Sequence, residues 1–215
     1  VQLLSVNIAS ARPLSESVST PTGIFKQPIP GSVEVGALGL AGDHIANKTH
    51  HGGPDQAVYV YSQHDYAWWE QQLNRTLAPG WFGENLTLSH LGPHSPRVGD
   101  VWQFSGGLTL HLTGPRIPCS KLAARMGDPG FVKAFVQANR GGVYARVLQP
   151  SAVQKGESVT VVPGPTEAPT IDALFELWHQ RKKDPGRLRH ALDYPLGERL
   201  RQRLESWLVK MDGHA

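Results

Sequence analysis

A switch in apolar periodicity near residue 163 constrains this chain most. Up to Val162 the apolar residues fall into strand-length runs that alternate or stay continuously apolar: Val1–Ala9, Ser32–Leu38, Ala57–Tyr61, Gly83–Leu88, Val101–Ser105, Leu108–Thr113, Val143–Leu148 and Val153–Val162. Glycine and proline punctuate the gaps, and the Gly106-Gly107 step reads as a hairpin turn. Three helices interrupt the strands, over Gln63–Leu73, Ser120–Met126 and Gly130–Ala138, while Pro13–Gly31 reads as a long surface loop. Past the proline-rich stretch Pro163–Pro169 the period becomes helical. Helices are expected from the Thr170 cap to Gln180, over Pro185–Leu192 and over Leu196–Lys210. The last places Leu196, Leu200, Leu204, Trp207 and Leu208 on one face. The expected architecture is mainly β with α: a β-barrel-like body over residues 1–163, with short covering helices, and a three-helix tail over residues 164–215.

With 40% hydrophobic and 18% charged residues, the chain is globular rather than disordered. No apolar run reaches membrane-spanning length. The first residues lack the basic flank and cleavage site of a signal peptide, so no membrane partner is expected. A single cysteine rules out an internal disulfide framework, and the setting expected is reducing and cytoplasmic. The net charge is only +3, but it is unevenly spread. Residues 101–150 carry six cations (Arg116, Lys121, Arg125, Lys133, Arg140, Arg146) against Asp128, which is +5 and leaves −2 for the remainder. An anionic ligand near this segment is one reading and a solvated basic face the other. The excess is local and no stacking motif accompanies it, so stable nucleic-acid binding is not expected.

Cys119, the one cysteine, lies in that segment, within Pro115-Arg116-Ile117-Pro118-Cys119-Ser120-Lys121-Leu122. The prolines restrict the backbone, and the helix predicted from Ser120 puts Cys119 at its start beside Arg116 and Lys121. Free amides and nearby positive charge favour a thiolate, which is a nucleophile and a soft metal ligand. The bland alternative is a packed, inert thiol.

Other segments concentrate special backbone and reactive groups: Thr22-Gly23-Ile24-Phe25-Lys26, Gly39-Leu40-Ala41-Gly42-Asp43, His50-His51-Gly52-Gly53-Pro54-Asp55, Phe82-Gly83-Glu84-Asn85-Leu86 and Arg140-Gly141-Gly142-Val143-Tyr144-Ala145-Arg146. Together with the cysteine segment, and in this order, they resemble the MOSC family, the domain type found at the C-terminus of molybdenum-cofactor sulfurases, and within it the YiiM-like subgroup. The resemblance runs from Ser5 to Trp207 and includes the helical tail. It departs at Ser151, where a glycine is usual after Pro150, and at Glu157-Ser158, which replaces a Gly-Asp style ending.

The resemblance implies a barrel that binds a molybdenum–pterin cofactor, with Cys119 as metal ligand, and the reduction of N-hydroxylated compounds, including hydroxylaminopurine-type bases. Thr22, Gly52, Gly53 and Asn85 fall in the matched motifs as cofactor-binding candidates. Arg116, Arg140 and Arg146 would hold the cofactor's phosphate. Cleaving N–OH to water needs a proton donor, for which Lys26 and His51 are the candidates, with Asp55 and Glu84 as orienting carboxylates. The chain has too few cysteines for an iron–sulfur cluster and no dinucleotide fingerprint, so an external reductase is the expected electron source. The basic tail residues Arg181, Lys182, Lys183, Arg187 and Arg189 are one docking surface for it, an ordinary solvated face the other. Two competing readings are a cofactor or sulfur carrier without turnover and a cysteine hydrolase built on Cys119, His51 and Asp55.

Overall fold

The computed structural model describes residues 1–15, 18–45 and 52–212. Thirteen strands and six helices are assigned among them, in the order β1 (Leu3–Ile8), β2 (Arg12–Ser15), β3 (Val18–Thr22), β4 (Gln27–Pro28), β5 (Val33–Gly36), β6 (Gly39–Leu40), β7 (Val58–Ser62), α1 (Gln63–Leu73), β8 (Leu86–Leu88), β9 (Val101–Phe104), β10 (Thr109–Pro115), α2 (Ser120–Met126), α3 (Phe131–Ala138), β11 (Val143–Gln149), β12 (Ser151–Val153), β13 (Val159–Val162), α4 (Ile171–His179), α5 (Pro185–Leu192) and α6 (Glu198–Asp212).

Eight strands form one mixed sheet, ordered β13-β9-β10-β11-β7-β8-β1-β4, in which only β7 and β8 pair in parallel. The mainly β body with helical cover and a three-helix tail is as expected, but "barrel" is too strong a word. The flanks of the sheet meet at one isolated bridge, Gln2–Ser158, supported by the Leu3 N–H to the Glu157 carbonyl at 2.9 Å. No continuous ladder closes it.

Two other readings change. The apolar run Val153–Val162 is two strands: β12 pairs with β5 in a separate three-stranded sheet and β13 with β9. Part of the expected loop Pro13–Gly31 is the hairpin β2–β3, and β4 pairs with β1. β10 also runs through Pro115, opposite Val143 at the sheet's end. The two departures from the family pattern have a local role. Ser151 Oγ donates to the Gly106 carbonyl at 2.7 Å, and Glu157 accepts from the Gly106 N–H at 3.0 Å, so both brace the β9–β10 turn.

The helices start and stop where local chemistry dictates. Ser62 Oγ caps α1 by accepting from the Asp65 N–H at 3.0 Å, Thr170 caps α4, and Asp184 caps α5 ahead of Pro185. α2 ends at Gly127, whose φ of 70° few side chains tolerate.

β7 explains how two cores share one sheet. All five of its residues are buried. Val58 and Val60 face an aliphatic core with Leu86, Trp102, Leu110 and Val143. Tyr59 and Tyr61 face an aromatic core with Tyr66, Trp69, Phe82, Phe131 and Phe135 from the covering helices and loops. Each such side chain stabilises the fold by about 1.5–3 kcal/mol of burial. The tail is joined to both, because Ile171 packs in the first core and Phe175 in the second. Its remaining apolar face, Leu174, Leu177, Leu188 and Leu204, closes over Val98. No helix among the described residues is long and apolar enough to cross a membrane.

Candidate active site

A cavity of about 100 Å³ opens where β3, the β8 approach, β11 and the start of α2 converge. Thr22, Lys26, Gly52, Asn85, Arg116 and Cys119 all line it, although their positions span nearly a hundred residues of sequence. Lys121 and Tyr144 complete the wall on the Cys119 side.

Cys119 is the N-cap residue of α2, in extended backbone, and its carbonyl accepts the Leu122 N–H at 3.0 Å. Its residue is half-buried, so the sulfur sits at the wall of the cavity rather than in the packed interior. Arg116, three residues earlier, is only 5% exposed. Its guanidinium lies 5.4 Å from the Phe135 ring and 5.8 Å from the Tyr59 ring, and its Nη1 is buried with no hydrogen-bond partner among the described residues. A buried charged donor left unsatisfied is costly unless a ligand answers it.

Across the cavity, Lys26 is buried and forms an ion pair through Nζ with both oxygens of Asp43, 2.5 Å from Oδ1. Asp43 is held in turn by the Ala9 N–H at 2.9 Å and by Asn85 Nδ2 at 2.8 Å. Burial lowers the Lys26 pKa from the ordinary lysine value, and the Asp43 charge opposes that fall. Sequence reasoning quoted the Gly39–Asp43 segment without giving Asp43 a task. Its signal was an acid directly after a glycine turn, with nothing local to pair it to Lys26.

Several assigned residues are engaged elsewhere. Asn85 lines the cavity, but its amide ties Asp43 to the Tyr59 backbone N–H, which it accepts at 3.2 Å. The structure does not bring Arg140 or Arg146 to the cavity. Arg140 pairs with Asp65 at 2.6 Å and lies over Trp68. Arg146 pairs with Asp55 at 3.1 Å and donates to the Leu196 carbonyl, securing the approach to α6. The Gly141–Gly142 pair serves close packing rather than an anion. A Cβ on Gly142, where φ is 65°, would stand 2.6 Å from the Val60 carbonyl, and the Tyr59 hydroxyl donates to the Gly141 carbonyl.

Gly53 lies beside a neighbouring cleft, at the start of the 3-10 turn Pro54–Gln56. Asp55 accepts the Glu198 N–H at 2.7 Å. Glu84 is fully buried and accepts from Tyr66, Gly80 and Thr87, which fixes the loop before β8; burial raises its pKa. His51 lies outside the described residues.

The residues present suit a soft metal centre with an anionic appendage. One cysteine sulfur, one buried arginine with an unanswered donor, a second cation at Lys121 and a buried lysine share a single cavity. A glycine with φ of 74°, Gly52, forms part of its rim, and a Cβ there would collide with Ile45.

Comparison with known proteins points the same way. The family model of the MOSC domain matches residues 47–160. The protein YflK of Bacillus subtilis (strain 168) is 34% identical over 161 residues, 74% of this chain and 72% of YflK. A protein named "Reductase" from Gibberella moniliformis (strain M3125 / FGSC 7600) is 31% identical over 147 residues, 67% of this chain but only 26% of that protein. The crystal structure of YiiM from Geobacillus stearothermophilus superposes with a TM-score of 0.80 at 26% identity, covering 96% of this chain and 98% of that one.

Proposed function

The chain belongs to the MOSC domain family, among its YiiM-like members, and from this we propose that it holds a molybdenum–pterin cofactor through Cys119 and reduces N-hydroxylated compounds, hydroxylaminopurine-type bases among them. The observation that carries the reading is the shared cavity of Cys119 and Arg116, with the unanswered Nη1 donor of Arg116 buried in its wall. When bound, the group supplies two-electron reduction at a metal centre. The overall change is R–NHOH plus two electrons and two protons to R–NH2 and water.

The chain's own residues have separable tasks. Cys119 sulfur is the protein ligand to the metal, and Arg116 holds negative charge beside it. Lys26 Nζ is the proton source for the departing oxygen. Its lowered pKa brings an ammonium nearer to the range in which it gives up a proton, and Asp43 fixes its position. Tyr144 closes the wall over Cys119.

An external reductase supplies the electrons. The single cysteine, too few for an iron–sulfur cluster, supports this.

Elemental analysis tests the reading. The protein produced in a molybdenum-replete host is expected to carry stoichiometric molybdenum, and Cys119→Ser less than a tenth of that. Equal molybdenum in both sinks the ligand role of Cys119. Stoichiometric molybdenum with no turnover of 6-hydroxylaminopurine on reduced methyl viologen replaces reduction with cofactor carriage.

A further inference from the structure

Three arginines and two aromatic rings interleave in a row that adjoins segments lining the cavity. The Arg12 guanidinium lies 3.6 Å from the Phe25 ring centre. Arg125 lies 4.8 Å from the same ring and 4.0 Å from that of Trp81, and Arg75 ends the row 5.5 Å from Trp81. The row gathers β2, the segment after β3, the loop after α1 and the last turn of α2. Phe25 sits between Ile24 and Lys26, and Trp81 directly precedes Phe82 and Gly83; those four neighbours line the cavity.

Among the described residues, none of the three arginines pairs with a carboxylate. Burial, and after it the neighbouring Arg12 charge, lowers the Arg125 pKa, as expected where like charges crowd. Among the described residues, Arg125 Nε and Trp81 Nε1 are both buried without a hydrogen-bond partner. These two donors are closed off from a small ion, whereas Arg12 and Arg75 are exposed to a large partner.

We propose that this arginine–aromatic rim is the docking surface for an acidic electron-donor protein carrying a reduced flavin. The proposal rests on the reductase reading above, which leaves the donor and its landing site unspecified. Uncompensated positive charge steers an acidic surface and sets its orientation, and tryptophan flanked by arginine is the composition that anchors protein interfaces. The partner would then sit one residue from the cavity wall on two sides.

In the basic tail three of the five cations over 181–189 are already engaged. Lys183 Nζ donates to the carbonyls of Leu177 and Trp178 at 2.9 and 2.6 Å, Arg187 pairs with Glu176, and Arg189 with Asp212. In the electron balance, the donor's flavin hydroquinone is oxidised by two electrons. The substrate's N–O bond breaks and two protons complete the amine and water.

The test uses an acidic flavodoxin as probe, with binding measured on the full chain at about 20 and about 300 mM salt, a range over which screening shortens severalfold. Wild-type protein is expected to bind at low salt and lose at least tenfold in affinity at high salt. Arg12→Glu/Arg75→Glu is expected to lose at least tenfold at low salt, while the charge-matched tail variant Arg181→Glu/Lys182→Glu stays within twofold. Viologen-driven turnover of the molybdenum-loaded rim variant should be unchanged.

Equal losses in the two variants, or no salt-sensitive binding by the wild type, overturn the docking surface. So does binding of inorganic pyrophosphate at Arg12 and Arg75 without flavodoxin binding, which makes the rim a small-anion site. Failure of viologen turnover in the wild type defeats the reductase reading instead, and leaves the binding measurement to judge the rim.

Discussion

The cavity and the three-helix tail are both rich in cations, yet they treat charge in opposite ways. In the tail three of the five basic residues over 181–189 have an ordinary answer: Arg187 has Glu176 at 3.1 Å, Arg189 has Asp212 at 3.3 Å, and Lys183 caps the carbonyls at the end of α4, while Arg181 and Lys182 are exposed to water. These groups are largely solvated, so their pairing adds little stability. At the cavity Lys26 and Arg116 are buried, one carboxylate serves Lys26, and Arg116 keeps a donor unanswered among the described residues. Charge that water already solvates needs no ligand. Charge withdrawn from water without a full set of partners does, and that separates a binding site from a basic surface.

The largest test of this contrast is Asp43→Ala. It would leave the Lys26 ammonium buried and unpaired, with the expected cost about 3–5 kcal/mol in urea unfolding. A loss under 1 kcal/mol would show that water reaches the pair and would place it with the tail's ion pairs.

Arg116→Met should move stability the other way. Removing a buried charge with an unsatisfied donor is expected to stabilise the metal-free protein by about 1 kcal/mol, while molybdenum retention falls severalfold. A variant that is destabilised and still retains molybdenum would make Arg116 a packing residue.

Glu84 gives a pH signature. Burial raises its pKa above the ordinary 4.5, so over the range between the unfolded and folded values the folded state binds more protons than the unfolded one. Stability contributed by this group is therefore present below that range and lost as pH rises through the folded pKa. Urea midpoints measured upward from about pH 4.5 should fall more steeply in the wild type than in Glu84→Gln; parallel profiles would remove Glu84 from the account. The smallest effect belongs to the tail, where Arg187→Ala should cost no more than about 1 kcal/mol and leave molybdenum content unchanged.

Much of this was readable one residue at a time. α1, α2 and α5 begin and end where the caps, Pro185 and Gly127 say they should, because capping is satisfied within a turn of backbone. Cys119 and Arg116 were legible as a pair because they stand three positions apart. Lys26 and Asp43 each stand in a segment of special backbone, but they are 17 positions apart, and nothing local joins them.

What the sequence determined by itself is the set of elements, their caps, the change from strands to helices and the residues of the cysteine segment. Each follows from backbone sterics and short-range hydrogen bonding. Only the tertiary structure decided which cations face the cavity. Arg116 does, while Arg140 and Arg146 are claimed by Asp65 and Asp55. The split of Val153–Val162 between two sheets has the same origin, since a strand's partner is chosen by what the rest of the chain leaves unpaired. Arginines in one stretch are chemically alike; burial and the nearest carboxylate make one a ligand candidate and the others struts.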